Sequence, residues 1–133
     1  MTTDLRKLYG DYIASLNERR LGDMHLFAHD NLTFNGQPVS RADYVAAIAG
    51  HLAAVPDFHW HVEDLVIEGN NVAVRLVDHG TPVKEWLGLQ PAGIKVELTE
   101  YAFYRFRDGR FEDMWYLLDY QGIEKQLSAA KQT

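Results

Sequence analysis

The stretch KVELTEYAFYRFRDGRFEDMWYLLDY, residues 95–120, decides the fold. Its side-chain types alternate with the period of two expected of a pleated strand, and Asp108-Gly109 interrupts them with the dipeptide of a type I′ hairpin turn. Two long antiparallel strands, 95–107 and 110–120, follow. If Arg107 pairs with Arg110, Arg105 faces Glu112 as a cross-strand ion pair. One face then carries Leu98, Glu100, Ala102, Tyr104 and Phe106 beside Phe111, Asp113, Trp115, Leu117 and Asp119. The other carries Thr99, Tyr101, Phe103 and Arg105 beside Glu112, Met114, Tyr116 and Leu118. A bulge beside the turn would reverse this assignment.

Working outward, 58–67 and 72–79 also read as strands, joined at the turn Gly69-Asn70-Asn71. The first 55 or so residues carry helical periodicity instead. Leu5, Leu8, Tyr9, Tyr12, Ile13 and Leu16 form one apolar stripe, with Thr3 or Asp4 as cap. A short helix uses Met24, Phe27 and Ala28, and 32–34 is a short strand stopped by Asn35-Gly36. Ser40 and Asp43 open a second long helix that Pro56 ends. A last helix spans about 122–131. Helices followed by antiparallel hairpins give an α+β fold, with the helices packed on one strongly curved, mainly antiparallel sheet. Such a cone-shaped barrel has a mouth, and a pocket there is the expected binding site. No linker or repeat divides the chain, so residues 1–133 read as one domain.

Composition narrows the chemistry. A 133-residue chain that is 47% apolar can bury about two-thirds of its unfolded surface in a single core. The absence of cysteine removes disulfides, thiolate metal sites and cysteine nucleophiles. A formal charge of −6, with no basic cluster beyond Arg19-Arg20, argues against nucleic acid as a partner. Met1-Thr2-Thr3-Asp4 has neither the basic flank nor the apolar run of a signal peptide, and no stretch is long enough to span a bilayer, so a cytoplasmic protein is expected. Phosphate-cradling loops, dinucleotide fingerprints and the serine-hydrolase elbow are absent, and neither a cofactor nor a metal is expected.

What remains is carboxylate, imidazole and aromatic chemistry. Asp119 lies diagonal to Glu100 and among Trp115, Leu117 and Leu98, where burial and a second carboxylate raise a pKa towards neutrality, as a general acid or base requires. The same residue is equally placed to cap the final helix. His79 begins the loop that follows its strand and is a second polar candidate. His59-Trp60-His61 has chelate spacing, yet if Glu68 pairs with Asn71, His61 faces Asp78 and Asp64 faces Arg75 without any metal. His51 reads as a satisfied histidine at the edge of its helix stripe. The segment 83–93 is unusually apolar for a loop, with Trp86, Leu87 and Leu89, so it covers a pocket mouth or a partner subunit. Tyr12, Trp60, Trp86, Tyr104 and Trp115, with Glu100, are the candidate lining for a flat apolar ligand.

Val72-Ala73-Val74-Arg75, Gly80-Thr81 and Glu85-Trp86-Leu87-Gly88-Leu89-Gln90-Pro91-Ala92-Gly93 together resemble the SnoaL-like polyketide cyclase family of the nuclear-transport-factor-2-like superfamily. Arg105, Asp108-Gly109-Arg110, Asp113-Met114-Trp115, Asp119 and Gln126-Leu127 continue the likeness. One position departs: Pro82 stands where the family has a histidine. The resemblance implies a cone-shaped α+β barrel, dimeric through the sheet's outer face. It also implies a cofactor-free intramolecular aldol ring closure on a polyketide ester, with Asp119 as acid/base. An epoxide hydrolase or isomerase of the same fold, with Arg75 and Asp64 or Asp119 around a water, and a non-catalytic small-molecule binder are the alternatives.

Overall fold

Asp4 opens the first helix, α1 (Leu5–Asn17), by accepting a hydrogen bond from the Lys7 amide at 3.1 Å. The computed structural model describes residues 4–131, so the alternative cap Thr3 lies outside the described residues. The stripe of α1 buries Leu5, Tyr9, Tyr12, Ile13 and Leu16. Its C-terminus turns at Arg19, a non-glycine residue at φ 63°, whose guanidinium donates to the carbonyls of Leu16, Pro56 and Phe58. One side chain thereby closes α1 and fixes the chain beyond the next helix.

The short helix is a 3₁₀ segment, Leu21–Leu26, and Ala28 already belongs to strand β1 (Ala28–Phe34). Asn35 and Gly36, both at positive φ, turn β1 into β2 (Gln37–Ser40), a strand too polar to stand out by pattern. Ser40 then caps α2 (Arg41–Ala54), its hydroxyl accepting from the Asp43 amide. The strands β3 (Val62–Glu68), β4 (Asn71–Gly80), β5 (Val96–Arg107) and β6 (Arg110–Leu118) precede α3 (Tyr120–Lys131). All six strands form one sheet in the order β2-β1-β6-β5-β4-β3. Among the described residues only the β1–β6 pair is parallel, so the sheet is mixed, with β2 and β3 as its edges. Tyr9, Leu76, Phe111 and Ile123, all nearly inaccessible, lie in the core between the helices and the sheet's inner face. Among the described residues no helix is long and apolar enough to cross a membrane.

The central hairpin carries the bulge that reverses its faces. Arg107 pairs with Arg110 and Phe106 with Phe111, but Arg105 faces Asp113, leaving Glu112 as an extra residue in β6. Glu112 pairs with Arg107 instead of Arg105, accepting from Nε at 2.6 Å. From there to the sheet's end, Met114, Tyr116 and Leu118 join Ala102, Tyr104 and Glu100 on the inner face, while Trp115 and Leu117 turn outward with Phe103 and Tyr101.

Candidate active site

The helices α1 and α2, the segment after Pro56, the 81–95 loop and the inner face of β4–β6 enclose a cavity of about 450 Å³. Five of the six residues proposed as its lining are there: Tyr12, Trp60, Trp86, Glu100 and Tyr104. The sixth, Trp115, is 49% exposed on the outer face, with its ring over Gly36; the Glu112 bulge put it there.

Neither residue proposed for catalysis reaches the cavity. Asp119 is exposed, and its carboxylate accepts from the Gly122 amide at 3.0 Å as the cap of α3. The one-residue slip in β6 is the reason, because it carries every later side chain to the opposite face. His79 alternates with the inward Leu76 and Asp78 along β4, so it faces away from the cavity and stacks on His59 at 5.4 Å between ring centroids. His61 reaches Glu63 at 3.4 Å. Arg75 and Asp64 pair at 2.7 Å on an exposed surface and bring no water-binding network to the cavity.

Alternation along β4 and β5 places a different carboxyl pair inside. Asp78 is fully buried, Glu100 is 8% exposed, and the register sets them diagonally across adjacent strands. Asp78 Oδ1 accepts from the His61 amide at 3.3 Å, while no donor among the described residues reaches Oδ2. Burial first, then the hydrogen bond and charge of Glu100, push the Asp78 carboxyl far above the carboxylate range. Burial pushes Glu100 up too, and the hydrogen bond from Asp78 opposes it. Asp78, sealed in the wall, is thereby held in its protonated form, and Glu100 is the member of the pair that lines the cavity.

Tyrosines surround Glu100. The Tyr9 hydroxyl donates to Tyr104 at 3.4 Å, Tyr12 and Tyr44 share a 2.5 Å hydrogen bond, and Tyr44 donates to Met114 Sδ at 3.3 Å. Burial keeps Tyr9, Tyr12 and Tyr104 protonated far beyond neutral pH. Among the described residues nothing accepts the hydrogen of Tyr104, which leaves it free for a ligand. Asp43, Glu85 and Glu100 line the cavity, and no lysine or arginine does, so the site suits a neutral molecule better than an anion.

Residues 6–127 match the family model of SnoaL-like polyketide cyclases. The chain belongs to this family. A SnoaL-like polyketide cyclase from Agrobacterium tumefaciens strain C58 is 31% identical and superimposes with a TM-score of 0.89, covering 96% of this chain and 99% of that one. AclR, a candidate hydroxylase from Streptomyces galilaeus, is 27% identical, with a TM-score of 0.78 over 93% and 95% of the two chains. IdmH from Streptomyces antibioticus shares the fold at 24% identity, with a TM-score of 0.85 over 95% and 99%. No curated protein matches the chain. In this member of the SnoaL-like family, the aspartate that the resemblance marks as acid/base is a helix cap, and the buried carboxyls sit on β4 and β5. The spacing pairs Asp78 with His61 and assigns it no part in acid/base chemistry, although an aspartate after Leu76-Val77 on an otherwise apolar strand is a readable signal of a buried polar group. His51 is visible in the sequence only as a histidine at the edge of its helix stripe.

Proposed function

We propose that this SnoaL-like protein is an enzyme that runs acid/base chemistry, without a cofactor, on a neutral carbonyl compound of polyketide type, closing a ring by intramolecular aldol addition. The observation that carries this reading is the Asp78–Glu100 pair set in the wall of an aromatic cavity without cations. The Glu100 carboxylate removes a proton from a carbon beside a carbonyl, and the Tyr104 hydroxyl donates to the enolate oxygen that forms. The enolate carbon then attacks a second carbonyl of the same molecule. That oxygen takes the proton back from Glu100, so atoms and charge balance and no leaving group is lost. Asp78 touches no substrate in this scheme and tunes Glu100 by donating a hydrogen bond that holds its pKa down.

The test is turnover of an aromatic polyketide ester by wild type and Glu100→Gln. A loss of about 10²–10⁴ in kcat, with ligand binding retained, is expected of a missing general base. Equal rates would overturn the assignment, and binding without turnover in the wild type would leave a ligand-binding module.

The outer sheet face supports a homodimer. Tyr101, Phe103, Trp115 and Leu117 are 58%, 39%, 49% and 76% exposed and lie together on β5 and β6. Four large apolar side chains in one patch are unusual on a free surface, and a second copy of the chain presents a matching one.

A further inference from the structure

The 81–95 loop closes one side of the cavity and is held to α2 by the Val83 amide, which donates to the Ala54 carbonyl at 2.8 Å, and by one side-chain hydrogen bond. Trp86 and Leu89 exchange backbone hydrogen bonds of 2.9 and 2.8 Å across Leu87 and Gly88, both at positive φ. This small hairpin buries the Trp86 ring to 4% exposure. The indole Nε1 then donates to Nδ1 of His51 on α2 at 3.0 Å.

An indole nitrogen can only donate, so Nδ1 of His51 must accept, and a neutral imidazole that accepts at Nδ1 carries its hydrogen on Nε2. Among the described residues Nε2 has no hydrogen-bond partner. It is also not one of the sealed, unpartnered polar atoms, which are Asp78 Oδ2 and His79 Nδ1, so it keeps accessible surface. His51 lines the cavity, its ring fixed against Phe58 at 4.2 Å and Trp60 at 5.8 Å between centroids. A donor that is fixed in place, uncommitted and set among aromatic rings selects for a ligand acceptor, because a ligand lacking one leaves it unpaired.

We propose that His51 presents its Nε2–H to the cavity as a specificity-determining hydrogen-bond donor, with its tautomer and orientation set by the Trp86 indole, and that the ligand carries a carbonyl-type acceptor against it. Burial, reinforced by Arg19, lowers the imidazole pKa to about 4, so the neutral donor persists through the physiological range. Trp86 is a positioning residue that acts through His51. The inference rests on the cavity being the ligand site, as proposed above, but not on turnover.

Two measurements test it without a substrate. Nitrogen-15 spectra of histidine-labelled protein at pH 7 are expected to show His51 as the Nε2–H tautomer, and Trp86→Phe to shift it towards a tautomer mixture. Binding of 2-acetylnaphthalene is then compared with that of 2-ethylnaphthalene, which has the same shape without the acceptor. The ketone-to-hydrocarbon affinity ratio is expected to fall about three- to tenfold in His51→Phe, the worth of one neutral hydrogen bond. It should fall partly in Trp86→Phe, which keeps an aromatic ring there, and stay unchanged in Asp119→Ala, whose side chain lies outside the cavity. An imidazolium or an Nδ1–H tautomer in the wild type overturns the proposal. So does a ratio that His51→Phe and Trp86→Phe leave where it was. A shifted ratio with inert chemistry would instead count against the enzyme reading alone.

Discussion

A proton kept on Asp78 is a property of one residue's surroundings, and it gives folding a pH dependence of definite sign. The folded carboxyl binds its proton more tightly than the unfolded one, so stability falls as pH rises above the unfolded value of 3.8. His51 works in the opposite direction. Its folded pKa, about 4, lies below the unfolded 6.5, so stability is lost as pH falls from 6.5 to 4, by at most about 3 kcal/mol. Above pH 6.5 the imidazole is neutral in both states, and the carboxyl pair acts without it. Thermal unfolding between pH 6.5 and 9 is therefore expected to show a declining Tm in the wild type and a flatter profile in Asp78→Asn. The amide donates to Glu100 without holding a titrating proton, so the variant should gain about 1 kcal/mol or more at pH 8. An amide is a weaker donor to Glu100 than the Asp78 hydroxyl, so Glu100 becomes less acidic and the acid limb of any pH–rate profile moves to higher pH. In His51→Phe the acid-side decline between pH 6.5 and 4 should shrink; an unchanged slope would show that the imidazole is solvated.

Elements were more legible in the chain than the faces they present. The Asp108-Gly109 turn, both long helices and the Ser40 cap can be read from capping and turn chemistry alone. The faces of β6 cannot, because both of them are apolar. Met114, Tyr116 and Leu118 alternate with Trp115 and Leu117, so a period of two does not say which set is inside. The bulge that decides the matter is one extra backbone residue, Glu112, whose type is ordinary for any strand. The site inherited this ambiguity: Glu100, on β5, stayed on the inner face while Asp119 moved from cavity to helix cap. Asp119→Ala is expected to cost about 1 kcal/mol through loss of the α3 cap, read as a Tm lowered by a few degrees. It should leave turnover of an aromatic polyketide ester unchanged at a permissive temperature. A large fall in kcat without a fall in Tm would restore this residue to the chemistry.

At the scale of the whole molecule, the slip in β6 has a second effect, because the side chains it denied to the cavity became the apolar outer face. Leu117→Lys, at the most exposed of these positions, should convert a dimer into a monomer in sedimentation equilibrium with little change in secondary structure. A wild-type chain that is already monomeric at high concentration would refute the dimer. The one parallel pairing has a consequence of a different kind. Thr33 of β1 hydrogen-bonds Asp113 of β6, 80 positions further along the chain, so the N-terminal strands find their place only after the C-terminal hairpin exists. During synthesis, α1, β1 and β2 emerge long before the strand that receives them, and the loop to be closed spans most of the chain. High contact order of this kind makes for slow folding, on the order of milliseconds to seconds. It also makes the last strand the step that commits the domain. Substitutions within β6 should slow refolding, whereas changes confined to β2 should chiefly speed unfolding.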